Sequence, residues 1–502
     1  MTRVGSSQAR ERQAEAPLLE GAATLVAALV GVGLVYFVYI FGLHGYLTVR
    51  FPYQLDYGEG PILQLAMRVA EGRSPYPPVG RPPYEIASYD PLHYLLCGLG
   101  VKLFGANFLF GRLLSLVCAV GAAAAAALVA WRHTGHRFAT FLAGGLVLAM
   151  PHFLVWSTLM RVDMLALGLA MGGYFAFERG WRWAGMPLFA LGMFTRRTNV
   201  AALGASFLAE ARRRGWRPTM RLFAIQAVMV AALFGAAEVA TGRAMSRVLY
   251  LHTASSLGKA WTWEQLWSLI WFPLRMYPVY FALPVAGAAW CGWRRERRLL
   301  ALYFLTAGVV FLTGGRIGSA HNYLLEPLAV GAMLFAVMWA DLSRTRGWGR
   351  TTLSFLGLVL LWQMLYTGQH LPQSISLSQP RADAGASRAV VERLREAPGP
   401  VLCEDTGLAI LAGKRPPLMP FEFTQMARRG ALDPEPVLRQ VREGAFSVVV
   451  LRFNPFDPHE IELHRPGEDW KAGRWPEGLI AALVARYRLE VEVGPYFVFV
   501  PT

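Results

Sequence analysis

The chain has 502 residues, 54% of them hydrophobic and only 16% charged, with a mean hydropathy of +0.34, and this composition excludes an ordinary soluble enzyme. The net charge of +16 does not indicate a nucleic-acid partner, because the arginines stand in short blocks between apolar runs and form no basic domain. The four cysteines are scattered, without a C-x-x-C motif or a histidine cluster at ligand spacing, so neither a zinc site nor a disulfide framework is predicted.

Apolar runs long enough to cross a bilayer recur along most of the chain, after a short polar tail at residues 1–20. A hydrocarbon core of about 30 Å takes roughly 20 helical residues to cross. The pattern predicts a polytopic α-helical membrane protein with about eleven transmembrane helices, the first of them an uncleaved signal anchor. The predicted spans are residues 21–43, 108–131, 138–152, 163–177, 183–195, 198–209, 221–240, 273–293, 299–314, 322–340 and 352–368. Two of them, 183–195 and 198–209, are short and are interpreted as half-depth helices joined by the turn FTRRTN.

Arginine-rich connections predict how the chain is oriented. Four connections with many arginines and few acids fall on one side when the spans are counted, and the positive-inside rule makes that side the cytoplasm. These connections are residues 131–137, 210–221, 293–298 and 343–350. We therefore predict a multi-pass protein of the bacterial inner (cytoplasmic) membrane with a cytoplasmic N-terminus. The loop 44–107, the turn LMRVDM and the C-terminal tail are expected to face outward.

The composition changes near residue 380, where apolar runs shorten and Pro, Glu and Asp become frequent. Residues 387–397 have apolar positions at helical spacing, and the later segments GPVLC, FSVVVLR, LEVEV and YFVFV are typical of strands bounded by Gly or Pro. We predict a transmembrane domain at residues 21–370 and a small α/β domain at residues 380–502 on the outer face. The sequence contains no G-x-G-x-x-G motif, no P-loop and no internal repeat, so nothing indicates nucleotide binding.

Two carboxylates, Asp56 and Glu59, follow the first apolar run. Carboxylates beside a bilayer are costly to desolvate, so the pair requires water, a cationic partner or a chemical task. Apolar residues at helical spacing after Pro61, and again after Pro91, predict two amphipathic helices that lie along the membrane interface. The acids then stand just before a helix N-terminus, where backbone N–H groups help to keep them ionised.

Further along, Arg161 and Asp163 stand at the start of a predicted transmembrane helix, and Arg196 and Arg197 lie in the turn between the two short helices. An ionisable residue at this depth indicates a functional site by default. The alternatives are structural: Asp163 caps its helix or pairs with Arg161, and the two later arginines extend towards lipid headgroups. Glu59 has a similar alternative as a capping carboxylate. Three outward-facing acids and an arginine pair together favour a site.

The order of several short motifs resembles a known superfamily. D-Y-G-E-G at residues 56–60 precedes Ala66, Gly72 and Tyr76, and then come YDPLHYLL, KLFG, RVDMLAL, FTRRTN and GGRIGSAHNYLLEPLA. This order resembles the GT-C superfamily of membrane glycosyltransferases, in particular its bacterial protein O-mannosyltransferase and aminoarabinose-transferase-like branch. The resemblance covers most of the membrane region and the start of the C-terminal tail. Many members carry adjacent Asp-Glu in the first loop, whereas two residues separate the acids here, which leaves open which of them is the base.

The resemblance implies an activity. Such enzymes take a sugar from a polyprenyl-phosphate carrier and pass it, with inversion at the sugar carbon, to a glycan, lipid or protein acceptor on the outer side. We predict Asp56 as the general base that removes the acceptor proton, with Glu59 and Asp163 orienting the acceptor or tuning the base. The leaving phosphate needs positive charge, so arginines are its predicted ligands. The predicted ligands of phosphate or sugar hydroxyls are Arg161, Arg196, Arg197, Arg316, His321, Asn322 and Tyr323.

The sequence requires no cofactor, although a divalent cation between Asp56 and Asp163 would suit their oxygen ligands. Membrane lipids are expected partners. Two other classes of function stay open, namely a transporter or flippase for a polyprenyl lipid or glycolipid, and a non-catalytic protein of envelope assembly. Transporters usually show repeated halves. The single long outer loop has no second copy in the sequence, which favours the transferase.

Overall fold

A computed structural model describes residues 4–254, 261–316, 319–345, 347–374, 379–459, 474–476 and 478–502. Parts of four predicted features lie outside these residues: positions 1–3 of the polar tail, 317–318 of the late outer loop, 346 of an arginine-rich connection, and 460–473 and 477 of the α/β domain. The helices before residue 375 are α1 (Val4–Val49), α2 (Glu59–Ala70), α3 (Pro91–Phe104), α4 (Leu109–Thr134), α5 (Arg137–Ala149), α6 (Pro151–Trp156), α7 (Val162–Glu178), α8 (Arg182–Thr195), α9 (Ala201–Arg214), α10 (Trp216–Ala240), α11 (Ala244–Ala254), α12 (Trp263–Met276), α13 (Pro278–Trp293), α14 (Arg298–Phe311), α15 (Leu325–Ser343) and α16 (Trp348–Ser374).

Six of these helices are long and apolar enough to cross a membrane, and the count rises to seven if α12 and α13, bent by 105° at their junction, form one span. The six are Glu20–Val49 of α1, α4, α10, Arg298–Gly315, His321–Ser343 and Trp348–Leu371 of α16. Helix length within the described residues therefore does not confirm the predicted count of eleven. The predicted pair of short helices is present as α8 and α9, each of 14 residues.

The apolar core of the helical region surrounds α15. This helix is buried along nearly its whole length and packs against α4, α5, α13 and α14. Glycines allow the closest of these approaches: a Cβ on Gly287 would contact the backbone of Phe335, and a Cβ on Gly331 would contact Pro284. Small residues at such crossings let two apolar helices approach closely, which is a common means of association in membranes.

The four arginine-rich connections meet at one end of the helical region. Arg297 and Arg344 both donate hydrogen bonds to main-chain carbonyls at the end of α4. Glu178, the last residue of α7, lies 2.9 Å from His133 Nε2 and accepts a hydrogen bond of 2.9 Å from Arg213. The connections therefore share one side, as the charge pattern predicts. The start of α7, which carries Asp163, is at the opposite end of that helix.

The predicted helices of the first outer loop are present as α2 and α3. Pro91 stands at the first position of α3, where its missing N–H costs nothing. The two helices pack against each other so closely that a Cβ on Gly98 would contact Val69. On one side, α2 and α3 adjoin the segment that holds Asp56. On the other side, they face residues from the C-terminal part of the chain.

Residues 379–502, called the C-terminal unit below, contain a four-stranded sheet. Its helices are α17 (Gln379–Glu396), α18 (Thr406–Leu411), α19 (Pro420–Arg428), α20 (Glu435–Arg442) and α21 (Leu479–Arg486), and its strands are β1 (Val401–Cys403), β2 (Val448–Leu451), β3 (Tyr487–Val493) and β4 (Tyr496–Pro501). The strand order is β1-β2-β4-β3, with β1 and β2 parallel and the other pairs antiparallel. The strands coincide with the four segments predicted as strands.

Both faces of the central strand β2 are covered. Successive side chains of a strand point to opposite faces, and accordingly Val448 and Val450 join one apolar cluster while Val449 and Leu451 join another. A strand buried on both faces reads as a continuous apolar run, which explains the sequence VVVL.

The C-terminal unit docks on the loop 44–107. Tyr84 donates a backbone hydrogen bond of 2.8 Å to Pro417 and accepts one of 3.1 Å from Met419. Gln64 of α2 donates its side-chain amide to the carbonyl of Pro416 at 3.4 Å. The loop 44–107 and the C-terminal unit are thus in direct contact next to the predicted site.

Candidate active site

Asp56 lies in the irregular segment between α1 and α2. Its Oδ2 accepts a hydrogen bond of 2.8 Å from the backbone N–H of Gly58, a local turn typical of aspartate, and another of 2.8 Å from Arg161 Nη1. The side chain is 28% exposed. Among the described residues, Oδ1 has no hydrogen-bond partner. One carboxylate oxygen is therefore held in place, and the other makes no hydrogen bond within the described part of the chain.

Arg161 links Asp56 to the start of α7. Its guanidinium donates to Asp56 and, at 3.3 Å, to the hydroxyl of Tyr89, and it packs over the ring of Trp156 at 5.4 Å. The side chain passes directly over Gly58, where a Cβ would collide with Nη1. The glycine between the two acids thus makes room for the arginine.

Asp163 is buried in the first turn of α7, with its side chain only 1% exposed. Its Oδ1 accepts hydrogen bonds from Arg196 Nη1 at 2.8 Å and from Asn322 Nδ2 at 2.6 Å. Its Oδ2 lies 3.9 Å from Arg161 Nε, and neither of these two atoms has a hydrogen-bond partner in the described part of the chain. Asp163 therefore binds arginines from two segments and does not cap its helix.

Asp56, Arg161, Asp163 and Arg196, called the Asp–Arg cluster below, form a connected series of alternating charges. The guanidinium of Arg196 also packs over the ring of Tyr323 at 4.4 Å. A cavity of about 40 Å³ opens beside Asp163 and Arg196, and its lining includes Asn322, Tyr323 and Glu326. Three predicted site segments, the starts of α7 and α15 and the FTRRTN turn, converge on this cavity.

Glu59 has different neighbours. It is fully buried and forms a two-pronged ion pair with Arg112, whose Nε donates to Oε1 at 2.8 Å and whose Nη2 donates to Oε2 at 2.7 Å. Backbone N–H groups of Met160 and Leu55 donate to the same two oxygens at 2.9 and 2.8 Å. Both oxygens are thus occupied by protein donors, and the side chain ties the loop to α4 and to the residue before Arg161.

Three predicted ligands lie apart from the Asp–Arg cluster. Arg197 binds Asp90 through its backbone N–H at 2.8 Å and its Nη2 at 3.0 Å, with 42% of its side chain exposed. Arg316 pairs through its backbone with Trp261. The ring of His321 packs edge-on against that of His152 at 6.0 Å. In the described residues, no hydrogen bond joins these three side chains to the cluster.

Solved structures share this architecture. ArnT from Cupriavidus metallidurans bound to undecaprenyl phosphate is similar with a TM-score of 0.55 and 12% identity, over 93% of this chain and 97% of that chain. The oligosaccharyltransferase of Archaeoglobus fulgidus in the apo form is similar with a TM-score of 0.52 and 12% identity, over 90% and 73% of the two chains. The chain shares the fold of these two structures. No protein-family model and no curated protein matches it.

Within this fold, the predicted site does not fit a divalent cation held between Asp56 and Asp163. The guanidinium of Arg161 lies between the two carboxylates and already supplies the positive charge that a cation would provide. The described residues contain no group of three or more His, Cys, Asp or Glu side chains that could hold a metal ion.

Several residues in and around the site are not predicted from the sequence. Arg112 gave a signal, because it is an ionisable residue near the start of a predicted span. Asp90 and Glu326 lie inside two of the motifs that carry the GT-C resemblance, but neither was singled out. Burial raises the pKa of the Asp90 carboxyl, against the opposing effect of Arg197. Glu422, described below, belongs to the C-terminal unit and gave no signal in the sequence.

Proposed function

We propose that this chain is an inverting glycosyltransferase that takes a sugar from a polyprenyl-phosphate carrier on the outer side of a cytoplasmic membrane. The observation that carries the proposal is the Asp–Arg cluster, in which Asp163 and Arg196 line one cavity and Arg161 links Asp163 to Asp56. The shared fold and the undecaprenyl phosphate bound in the similar ArnT structure support the choice of donor.

Asp56 is the proposed general base. The proton of an acceptor hydroxyl passes to Oδ1, the acceptor oxygen attacks the anomeric carbon, and the bond from that carbon to the phosphate oxygen breaks with its electron pair on the phosphate. The configuration at the anomeric carbon is inverted, and free polyprenyl phosphate is released. Arg161 fixes the orientation of the base through Oδ2. A positioned base typically contributes about 10²–10⁴ in rate.

Arg196 is the proposed ligand of the leaving phosphate. It lines the cavity and is only 16% exposed, and Asp163 fixes its Nη1. A guanidinium group can bind phosphate through several parallel hydrogen bonds, which suits a leaving group that departs as an anion. Asp163 Oδ2 and Asn322 Oδ1 are buried without a hydrogen-bond partner among the described residues, and we assign them to hydroxyls of the donor sugar.

The proposed topology follows the arginine-rich end of the helices. With that end in the cytoplasm, the N-terminus is inside and α7 runs from the outer side, where it carries Asp163, to the inner side at Glu178. The first outer loop and the C-terminal unit then lie outside. The acceptor is a glycan, a lipid or a protein on that side.

Mass spectrometry of cells with and without the gene tests the function. Cells that lack it are expected to accumulate one polyprenyl-phosphate sugar and to lose one modification of the envelope. In detergent-solubilised membranes, addition of the protein is expected to convert that lipid-linked sugar to free polyprenyl phosphate. A flippase has no such activity once the two leaflets are mixed, so an unchanged lipid-linked sugar would reject the transferase.

The phosphate assignment predicts the effect of Arg196→Ala. Hydrogen bonds to a charged group contribute about 1.5–3 kcal/mol, so affinity for undecaprenyl phosphate is expected to fall about 10- to 100-fold. Arg196→Lys keeps the positive charge but loses the forked guanidinium group. Its affinity is expected to lie between those of wild type and Arg196→Ala. The control is Arg182→Ala, which removes an arginine paired with Glu210 at the other end of α8. Equal affinity of wild type and Arg196→Ala, measured by native mass spectrometry, would contradict the assignment.

A further inference from the structure

The segment that carries Asp56 is held by the C-terminal unit on both sides of that residue. Two positions before it, the Gln54 side chain accepts a hydrogen bond of 2.8 Å from the backbone N–H of Gly407 and donates one of 3.2 Å to Asp405. One position after it, Tyr57 reaches the start of α19. No helix or strand includes residues 51–58, so these contacts help to define the path of the segment.

The hydroxyl of Tyr57 makes two hydrogen bonds. It accepts from the backbone N–H of Phe421 at 2.8 Å and donates to Glu422 Oε2 at 3.0 Å. The first N–H groups of a helix have no partner within the helix, so Tyr57 satisfies one of these donors of α19. Above the ring, the guanidinium of Arg474 lies 4.4 Å from the centroid.

The segment around Asp56 and the C-terminal unit are in direct contact. A Cβ on Gly60 would contact Thr406 Oγ1, and it would stand 2.8 Å from the backbone nitrogen of Gly407. A Cβ on Gly407 would in turn contact the side chain of Gln54. Glycine on both sides therefore lets the backbones approach, and no space is left for a layer of water between them.

Charge also connects Tyr57 to the site. Burial, together with the adjacent Glu422 carboxylate, raises the pKa of Tyr57 well above its ordinary value, so its hydroxyl stays a donor. Burial likewise raises the pKa of Glu422, opposed in part by the positive charges of Arg161 and Arg474. Glu422 of the C-terminal unit is thus within electrostatic reach of the arginine that holds Asp56.

We propose that the C-terminal unit is a working part of the active site, in which the bonds of Tyr57 to Phe421 and Glu422 position Asp56 against the acceptor. Tyr57 and Glu422 are positioning residues, since they act through the segment that carries the base. The inference rests on the proposed glycosyl transfer. It assigns the C-terminal unit a part in turnover in addition to any part in folding.

The test compares turnover, donor KM and hydrogen exchange in five variants of the full-length protein. Tyr57→Phe removes the hydroxyl and keeps the ring under Arg474. Because a displacement of about 1 Å at a reacting group can cost 10²-fold, kcat is expected to fall about 10- to 100-fold with the donor KM unchanged. Glu422→Ala is expected to lower kcat similarly, whereas Glu422→Gln keeps an acceptor oxygen for Tyr57 and is expected to retain activity.

The matched control is Tyr487→Phe. Tyr487 also accepts a backbone hydrogen bond, from Phe446 at 3.2 Å, but both residues lie within the C-terminal unit and away from Asp56. It is expected to keep wild-type kcat. The double variant Tyr57→Phe with Glu422→Ala is expected to be no slower than either single variant, because residues of one network do not act additively.

Hydrogen exchange separates this inference from the proposed function. Amides of residues 54–60 are expected to lose protection in Tyr57→Phe and Glu422→Ala but not in Tyr487→Phe. Wild-type kcat in Tyr57→Phe, an equal loss in Tyr487→Phe, or unchanged exchange in residues 54–60 would overturn the inference. A wild-type protein that transfers no sugar would overturn the proposed function, and the exchange result would still decide whether the C-terminal unit holds the segment.

Discussion

Asp56→Asn is expected to lower the rate of sugar transfer about 10²–10⁴-fold, the range that a positioned general base contributes. The substitution is nearly isosteric, so an amide oxygen can still accept the hydrogen bonds from Gly58 and Arg161. What is lost is the capacity to take a proton from the acceptor. Affinity for undecaprenyl phosphate and the yield of folded protein are therefore expected to stay near wild type.

The control for this variant is Asp341→Asn. Asp341 accepts a hydrogen bond of 3.0 Å from Arg297 in an aspartate–arginine pair at the arginine-rich end of the helices. Its loss is expected to leave transfer unchanged, since that end is remote from the cavity. Transfer by Asp56→Asn within a few-fold of wild type would remove Asp56 as the base and direct attention to Asp163, whose Oδ2 has no hydrogen-bond partner among the described residues.

Local patterns in the sequence predict much of this architecture. Apolar periodicity, with Gly and Pro at the boundaries, places α2, α3, the short pair α8 and α9, and the four strands. The same reasoning selects Asp56, Arg161, Asp163 and Arg196, because each is an ionisable residue beside a predicted apolar helix. The structure brings these four side chains together.

The pairing of charges requires the folded chain. Arg196 and Arg197 are neighbours in sequence but bind different acids, Asp163 and Asp90. The backbone at Arg196 is extended, with φ −152° and ψ 108°, and successive side chains of an extended chain point to opposite sides.

Contacts between distant segments are the least predictable from one sequence. Glu59 and Arg112 are 53 residues apart, and Tyr57 and Glu422 are 365 residues apart. Nothing in the local pattern of either partner identifies the other. The position of Glu59 near Asp56 predicts a catalytic role. Only the ion pair with Arg112 shows that the side chain also ties the loop to α4.

Glu59→Gln is expected to reduce the free energy of unfolding by about 3–5 kcal/mol, because removing one partner of a buried ion pair leaves an uncompensated charge. Arg112 and Glu59 are both 0% exposed, so water cannot replace the lost carboxylate. The remaining partners of Arg112 are the main-chain carbonyls of residues 48, 51 and 53. We therefore propose that Glu59 positions the loop and does not contact the substrate.

Thermal unfolding in detergent, followed by the fraction that stays monodisperse, measures this loss. Glu392→Gln, which breaks the exposed pair with Arg388, is the control and is expected to change the midpoint little. The combined variant Glu59→Met with Arg112→Met is expected to be more stable than Glu59→Gln, since an apolar pair leaves no buried charge. Folded Glu59→Gln protein is expected to transfer sugar far faster than Asp56→Asn. A stable Glu59→Gln protein that is as inactive as Asp56→Asn would instead assign the catalytic base to Glu59.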